Sequence, residues 1–450
     1  MYNYLDTTTT IVAPATATGG AVAVVRLSGK DAITIADKMF RGKHKLSESK
    51  GYTLHYGTIV NGCGEVVDDV VVALFCAPHS YTGDDTVEIT LHGSEYITSE
   101  VIRLAIEYGA TMATPGEFTR RAFLAGKMDL SRAEAVADII ASDSRWSHNI
   151  ASTQMRGGYS EKLSELRGEL LKLCSLLELE LDFSEEDVEF ADRTTLRQTL
   201  NIITAQIECL KSSFALGNVL RNGVNVAIVG KPNVGKSTLL NVLVGDDRAM
   251  VSDIAGTTRD TIEATTTIDG IRYRFVDTAG IHATDDTLEK MGIDRSFRAI
   301  KNAHIILHLA STEEPEFEII EKGDNQHYIK VINKIDRITS SDFSDANDVI
   351  KISAKSGFGI DTLRHRLRKI TDTSQLGACS IVVSNMRHYS ALNSASEALM
   401  DARRGMDMNI PSDLLSEDIH RVLHHLGEIT GEITSEDILQ SIFSKFCIGK

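Results

Sequence analysis

The architecture turns on Val224-Asn225-Val226-Ala227-Ile228-Val229-Gly230-Lys231-Pro232-Asn233-Val234-Gly235-Lys236-Ser237-Thr238-Leu239-Leu240. Residues 224–229 form an apolar, β-branched run of the length of one buried strand. The next eight residues, Gly230 to Ser237, fit the pattern GxxxxGK followed by Ser or Thr, and an apolar helical pattern opens at once. In that context the motif cradles nucleotide phosphates. Its glycines let backbone N–H groups converge on an anion at a helix N-terminus, Lys236 reaches the β and γ oxygens, and the Ser237 hydroxyl can hold magnesium. Asn233, Val234, Gly235 and Thr238 complete the expected phosphate contacts.

Working outward, apolar β-runs at Ile271–Val276, Ile305–Leu309, Ile329–Ile332 and Val349–Ile352 alternate with helical segments, which predicts a mostly parallel, doubly wound sheet. Asp269-Gly270 is a hairpin signal, so one edge strand is expected to be antiparallel. Asn333-Lys334-Ile335-Asp336 follows a strand, and Asp336 can accept from the ring N–H and exocyclic amine of guanine. Adenine offers neither donor pair, so the carboxylate selects guanine. Ser353-Ala354-Lys355, again at a strand end, can supply a backbone N–H to the guanine carbonyl. Asp277-Thr278-Ala279-Gly280 places Asp277 to bind magnesium through water and Gly280 to meet the γ-phosphate, and Thr258 in Gly256-Thr257-Thr258-Arg259-Asp260 can complete the magnesium shell.

After Gly280 stands the apolar Ile281, where Ras-type proteins carry a water-orienting glutamine. The candidate replacement is Glu289, acting through a bridging water once its segment orders. Transition-state charge also needs a cation. Asn233 with the segment Met250 to Thr257 can wrap a monovalent ion such as potassium against the phosphates.

The 450 residues suggest about three domains. A hydrophobic share of 42% with 24% charged residues excludes a disordered or collagen-like chain. Sixty-three acids against 47 Lys and Arg give a formal charge of −16, so a nucleic-acid partner requires local basic sites or a helper protein. The six cysteines are scattered without a CxxC pair, which suggests neither a disulfide framework nor a zinc ribbon and fits a reducing cytoplasm. Thr7 to Val25 is uncharged but rich in Thr, Ala and Gly, and reads as neither signal peptide nor membrane span.

Ala21–Leu27, Val66–Phe75 and Thr86–Leu91 read as strands of a small α+β domain, followed by a helix over Glu95–Tyr108. Thr114-Pro115-Gly116-Glu117 and Ser131-Arg132-Ala133-Glu134 read as capping boxes of two further helices. Leu163, Leu166, Leu170, Leu173 and Leu177 step by three and four, as in a helix hairpin or dimer seam. Eight acids between Glu178 and Asp192 read as a solvated helix end or loop. His420 and His424 share a helix face with Glu428 without the constellation a metal site needs. The simplest architecture is multidomain: an α+β N-terminal domain (1–118), a discontinuous helical domain (119–217 and 377–450), and an inserted α/β phosphate-loop G domain of Ras type (218–376).

The guanine-nucleotide set, the segment Asp253-Ile254-Ala255-Gly256-Thr257-Thr258-Arg259-Asp260 and the terminal Phe446-Cys447-Ile448-Gly449-Lys450 resemble the tRNA modification GTPase family called MnmE or TrmE. Val24-Val25-Arg26-Leu27-Ser28-Gly29, Tyr81-Thr82-Gly83-Asp84-Asp85, Leu91-His92-Gly93 and Pro115-Gly116-Glu117-Phe118-Thr119-Arg120-Arg121-Ala122-Phe123 extend the likeness over essentially the whole chain. The resemblance implies a homodimer with a folate-binding-like N-terminal domain, partnered by the flavoprotein MnmG in a heterotetramer or larger complex. It implies addition of an aminomethyl or carboxymethylaminomethyl group to the wobble uridine of certain tRNAs, with 5-formyl- or methylene-tetrahydrofolate as the one-carbon source. Arg26, Glu88, Lys127 and Lys450 match the family's folate contacts. Asn233, Ser252, Ile254 and Thr257 match its potassium ligands, Glu289 its switch glutamate and Cys447 its terminal cysteine. His282 stands where arginine is common and Ser252 where threonine is common, the second at a backbone ligand. Two rival readings are a ribosome-assembly GTPase switch and a folate-dependent methyltransferase with a vestigial G domain. The lack of a separate RNA-binding module weighs against the first, and intact Lys236, Ser237 and Asp336 against the second.

Overall fold

The computed structural model describes residues 7–450 apart from 183–192, 246–262, 278–297, 318–322, 324–325, 338–347, 372–380 and 409. The chain forms two compact units: Met1–Ile140 with Thr153–Thr199 and Glu397–Lys450, and Ala141–Ser152 with Leu200–Ser396.

The first unit opens with β1 (Ile11–Pro14), β2 (Val22–Ser28), α1 (Ala32–Met39), β3 (Phe40–Gly42), β4 (Thr53–Val60), β5 (Val66–Phe75), β6 (Thr86–His92), α2 (Glu95–Glu107), β7 (Thr111–Met112) and α3 (Glu117–Leu124). Its sheet has the order β3-β4-β5-β6-β2-β1-β7, antiparallel except for β1 with β7. Alternation decides the faces. Val70, Val72 and Leu74 on β5 are buried in one core with Ile35, Met39, Val101 and Leu104 of α1 and α2, while Leu54, Tyr56 and Val71 are exposed. Strands β1 and β4 escape the sequence reading because one is short and the other mixes Thr, His, Tyr and Gly.

Helices follow: α4 (Leu130–Ala141), α5 (Arg145–Met155), α6 (Gly158–Asp182), α7 (Arg193–Ser212) and α8 (Phe214–Asn222). Both capping boxes need correction. Helix α3 starts at Glu117 behind a left-handed Gly116 rather than at Pro115, although the Glu117 carboxylate does accept the Thr114 N–H at 2.8 Å. Burial raises the Glu117 pKa, and hydrogen bonds from Thr114 and Arg121 more than reverse it, leaving the carboxyl below its usual range. In α4, Ser131 lies inside the helix, and Asp129 supplies the cap by accepting the Arg132 N–H at 3.0 Å.

The second unit adds β8 (Val224–Val229), α9 (Lys236–Gly245), β9 (Glu263–Ile268), β10 (Ile271–Asp277), β11 (Ile305–Ser311), β12 (His327–Asn333), β13 (Val349–Lys351) and α10 (Ile360–Ile370). Its sheet has the order β13-β12-β11-β8-β10-β9, parallel except for the β9–β10 hairpin across Asp269-Gly270. Val226, Ile228, Leu307, Leu309 and Val331 form its core with Leu239, Leu243, Leu363 and Leu367.

Helices α11 (Met386–Asp407), α12 (Ser412–Thr430) and α13 (Glu436–Phe443) end the chain. The leucine seam of α6 is buried, and α6 packs against α12, a partner more than two hundred residues away in sequence rather than a hairpin neighbour. Cys63, Cys76, Cys174 and Cys447 are free thiols. No described helix is long and apolar enough to cross a membrane.

Candidate functional site

The phosphate loop joins β8 to α9, so its amides face the space above the helix N-terminus. Val234 is buried in the core and anchors the loop, while Asn233 is exposed at a φ of 60°. Gly235 has a φ of 96°, and a Cβ there would stand 2.3 Å from Asn333 Nδ2, so no other residue fits. Lys236 lies along the loop, its ammonium donating to the Gly230 carbonyl at 2.7 Å and the Lys231 carbonyl at 3.1 Å. Burial lowers its pKa, against the opposing pull of Asp277.

Strand β10 ends in Asp277, and Asp277 Oδ2 accepts the Ser237 hydroxyl at 2.9 Å. Asp277 is buried, and its Oδ1 has no hydrogen-bond partner among the described residues. An orphaned, buried carboxylate oxygen beside a hydroxyl fits a hard divalent cation such as magnesium.

At the purine end, Asn333 is the tie. It is 2% exposed; its Nδ2 donates to the Val234 carbonyl and its Oδ1 accepts the Ala354 N–H, both at 2.9 Å. One amide therefore joins the phosphate loop to the 353–355 loop. The consequence for Ala354 is that its N–H is already engaged, which leaves the Lys355 N–H as the candidate donor to a guanine carbonyl. Asp336 sits on a 3-10 turn (Ile335–Arg337), and its Oδ1 accepts the Ser353 hydroxyl at 2.6 Å. It is exposed at the mouth of the site. The Ser353 hydrogen bond, then Lys355 and Arg337, hold its pKa below the usual carboxylate range. Lys334, with a φ of 66°, follows Asn333, and Lys355 is exposed beside the Ser353 turn.

Ser252, Asp253, Ile254, Ala255, Gly256, Thr257, Thr258, Thr278, Ala279, Gly280 and Glu289 lie outside the described residues. Thr238 is exposed in the first turn of α9.

A second cluster forms in the other unit. Arg26 on β2 and Glu88 on β6 are direct cross-strand partners, with Nη2 to Oε1 at 2.7 Å. The guanidinium carbon lies 5.8 Å from the Tyr81 ring centroid and 5.6 Å from that of Phe118. Arg26 Nη1 also donates to the Gly449 carbonyl at 3.4 Å. The C-terminal tail reaches this place through Phe443 and Phe446, packed on Leu130 and Ala133, and through the Cys447 carbonyl, which accepts the Gly116 N–H at 3.4 Å. Gly449, at a φ of 96°, passes so near the Pro14 carbonyl that a Cβ would collide. Lys127 donates to the Pro78 carbonyl and lies against Gly83, in the loop that carries Tyr81. Arg26, Glu88 and the tail bearing Lys450 thus meet across more than four hundred residues of sequence. Tyr81 and Phe118, which the sequence places in motifs without assigning them a role, flank the Arg26 guanidinium with their rings. Cys447 is exposed, as a reactive thiol needs to be. His420 and His424 pair with Glu178 and Glu428 respectively, and no metal-holding cluster occurs among the described residues.

A family model of the MnmE helical domain matches residues 130–447, and one of the GTP-binding protein TrmE N-terminus matches residues 10–127. The tRNA modification GTPase MnmE of Bacteroides fragilis is 48% identical over 462 residues, covering 98% of this chain and 99% of that protein. That of Bacteroides thetaiotaomicron is 48% identical over 463 residues, with the same coverage. Among solved structures, a point variant of Aquifex aeolicus Era bound to GDP.AlF4- aligns at a TM-score of 0.26 and 27% identity, over 39% of this chain and 66% of that one.

Proposed function

The chain belongs to the MnmE family of tRNA modification GTPases, and on that premise we propose that it is a potassium-dependent GTPase acting with the flavoprotein MnmG on the wobble uridine of certain tRNAs. In this reading it works in the cytoplasm as a homodimer, with a folate one-carbon donor, and an aminomethyl or carboxymethylaminomethyl group is added. The observation that carries the nucleotide part is the Asn333 tie, which makes the phosphate and purine subsites one hydrogen-bonded unit. The domain assignment follows: 1–118 for folate, 119–217 and 377–450 as the helical scaffold, 218–376 for GTP.

The chain's own groups divide the work. Loop amides and Lys236 hold the β and γ phosphates, and Asp336 holds the guanine edge. Ser237 and Asp277 would hold magnesium, which when bound neutralises developing phosphate charge. Asn233, with Ser252, Ile254 and Thr257, would hold potassium; Thr258 would join the magnesium shell. Glu289 orients the attacking water in place of the missing glutamine. At the second site, Arg26 and Lys450 are cations for an anionic folate and Glu88 an acceptor for pterin-type donors.

Two measurements test this. Steady-state GTP hydrolysis in potassium chloride is expected to exceed that in sodium chloride at equal ionic strength by about tenfold or more. Asn233→Ala should erase the difference, and Glu289→Ala should abolish turnover while keeping nucleotide binding. Equal rates in both salts with both variants active would remove the proposed hydrolytic mechanism. Separately, the full chain is expected to bind 5-formyl-tetrahydrofolate, with Arg26→Ala weakening it about tenfold or more through loss of a charge-assisted contact. Unchanged affinity in calorimetry would dismiss Arg26 as a folate ligand.

A further inference from the structure

The unit holding the phosphate loop carries 24 Lys and Arg against 25 Asp and Glu, so the chain's −16 resides almost wholly in the other unit. Helix α10 has the densest basic run in the sequence: Arg364, Arg366, Arg368 and Lys369 fall within six residues, with His365 among them. Ile360, Leu363 and Leu367 are buried against the core, and His365, Arg366, Arg368 and Lys369 are exposed. Lipid surfaces take helices with an outward apolar face, and α10 has already committed its apolar side to the core.

Stabilisation of the helix dipole accounts for Arg368 and Lys369 in the last turn but not for Arg364 and Arg366. Neighbouring acids do not neutralise the face firmly. Arg366 meets Asp348 at 3.5 Å and, on the opposite flank of the helix, Arg368 meets Asp269 at 3.0 Å, each with a solvent-exposed carboxylate. Such pairs are weak and yield to a doubly held phosphate oxygen. At the N-terminal end of the helix, Phe358 is 63% exposed three residues after the exposed Lys355, its carbonyl fixed by the Ser353 N–H at 2.9 Å. An exposed aromatic ring next to cations suits an unpaired base.

We propose that this face of α10 docks RNA: Arg366 and Lys369, one turn apart on the helix, grip a tRNA phosphate backbone, and Phe358 stacks on a splayed base. This rests on the tRNA reading above and gives it a place on the chain, beside the loop that reads guanine. Diffuse acidity elsewhere then steers the RNA toward the one unit that does not repel it.

The test measures binding of an unmodified tRNA transcript to the full-length chain between about 50 and 200 mM salt, for the wild type and for Arg366→Glu combined with Lys369→Glu. The double variant is expected to bind at least about tenfold more weakly, with a log–log salt slope shallower by about 1.5, and to hydrolyse GTP without RNA at the wild-type rate. Equal affinity and slope would overturn the docking face, as would a wild-type chain that binds no tRNA. Loss of poly-glutamate binding with tRNA binding intact would also overturn it, and assign the face to an acidic protein. Wobble-uridine modification assayed with the flavoprotein separates the two levels: modification by the wild type with unaltered tRNA binding by the variant refutes the face alone, and none by the wild type refutes the wider reading.

Discussion

Asp336→Asn is expected to move the enzyme's preference from GTP to xanthosine triphosphate, changing the ratio of their kcat/KM values by about a hundredfold or more. In the proposed GTP site the carboxylate accepts from both the ring N–H and the amine of guanine. An asparagine keeps one acceptor and offers an N–H, which meets the carbonyl that xanthine carries in place of the amine. Because Ser353 already donates to Asp336 and lowers its pKa, the group stays ionised well into acid. The sign follows from that depression: guanine preference persists through the usual carboxylate range and is lost only as pH falls through the lowered value. Competition assays with GTP, xanthosine triphosphate and ATP decide the matter. A variant that still prefers GTP would show that Asp336 is not the base reader.

Asn333→Ala should raise the GTP dissociation constant by about a hundredfold without touching a phosphate contact. It leaves the buried Val234 carbonyl and Ala354 N–H unpaired, each costing about 1–3 kcal/mol, and frees the two loops from one another. Part of that cost falls on the free protein, so its thermal midpoint should drop as well. Asn333→Asp separates the halves: it retains the acceptor for Ala354 and loses the donor to Val234, so an intermediate loss is expected. Wild-type affinity in the alanine variant would mean that the loops hold their places through packing alone.

Much of this was legible along the chain because the signals are local. A strand, a glycine turn and an apolar helix occupy seventeen consecutive residues, and the strand ends at Asp277, Asn333 and Ser353 carry their motifs directly. The burial of alternate residues on β5 and of the leucine seam on α6 follows from periods of two and about 3.6. Sequence was weaker where two local signals compete. Ser131 has a capping pattern, yet Asp129, two residues earlier, takes the cap, because its carboxylate stands just outside the first turn and reaches the free Arg132 amide three residues on.

What the order of residues determined by itself is the chemistry open to each motif: glycines and a lysine suited to phosphates, and a carboxylate able to accept from guanine. Tertiary structure alone decided which groups meet and which are already engaged. It brought the Gly449 carbonyl to Arg26, set Asn333 between two loops, occupied the Ala354 N–H and left Asp336 open to solvent. Donor and acceptor capacity is a property of the residue, whereas whether that capacity is free depends on partners hundreds of positions away, brought near only when the cores close.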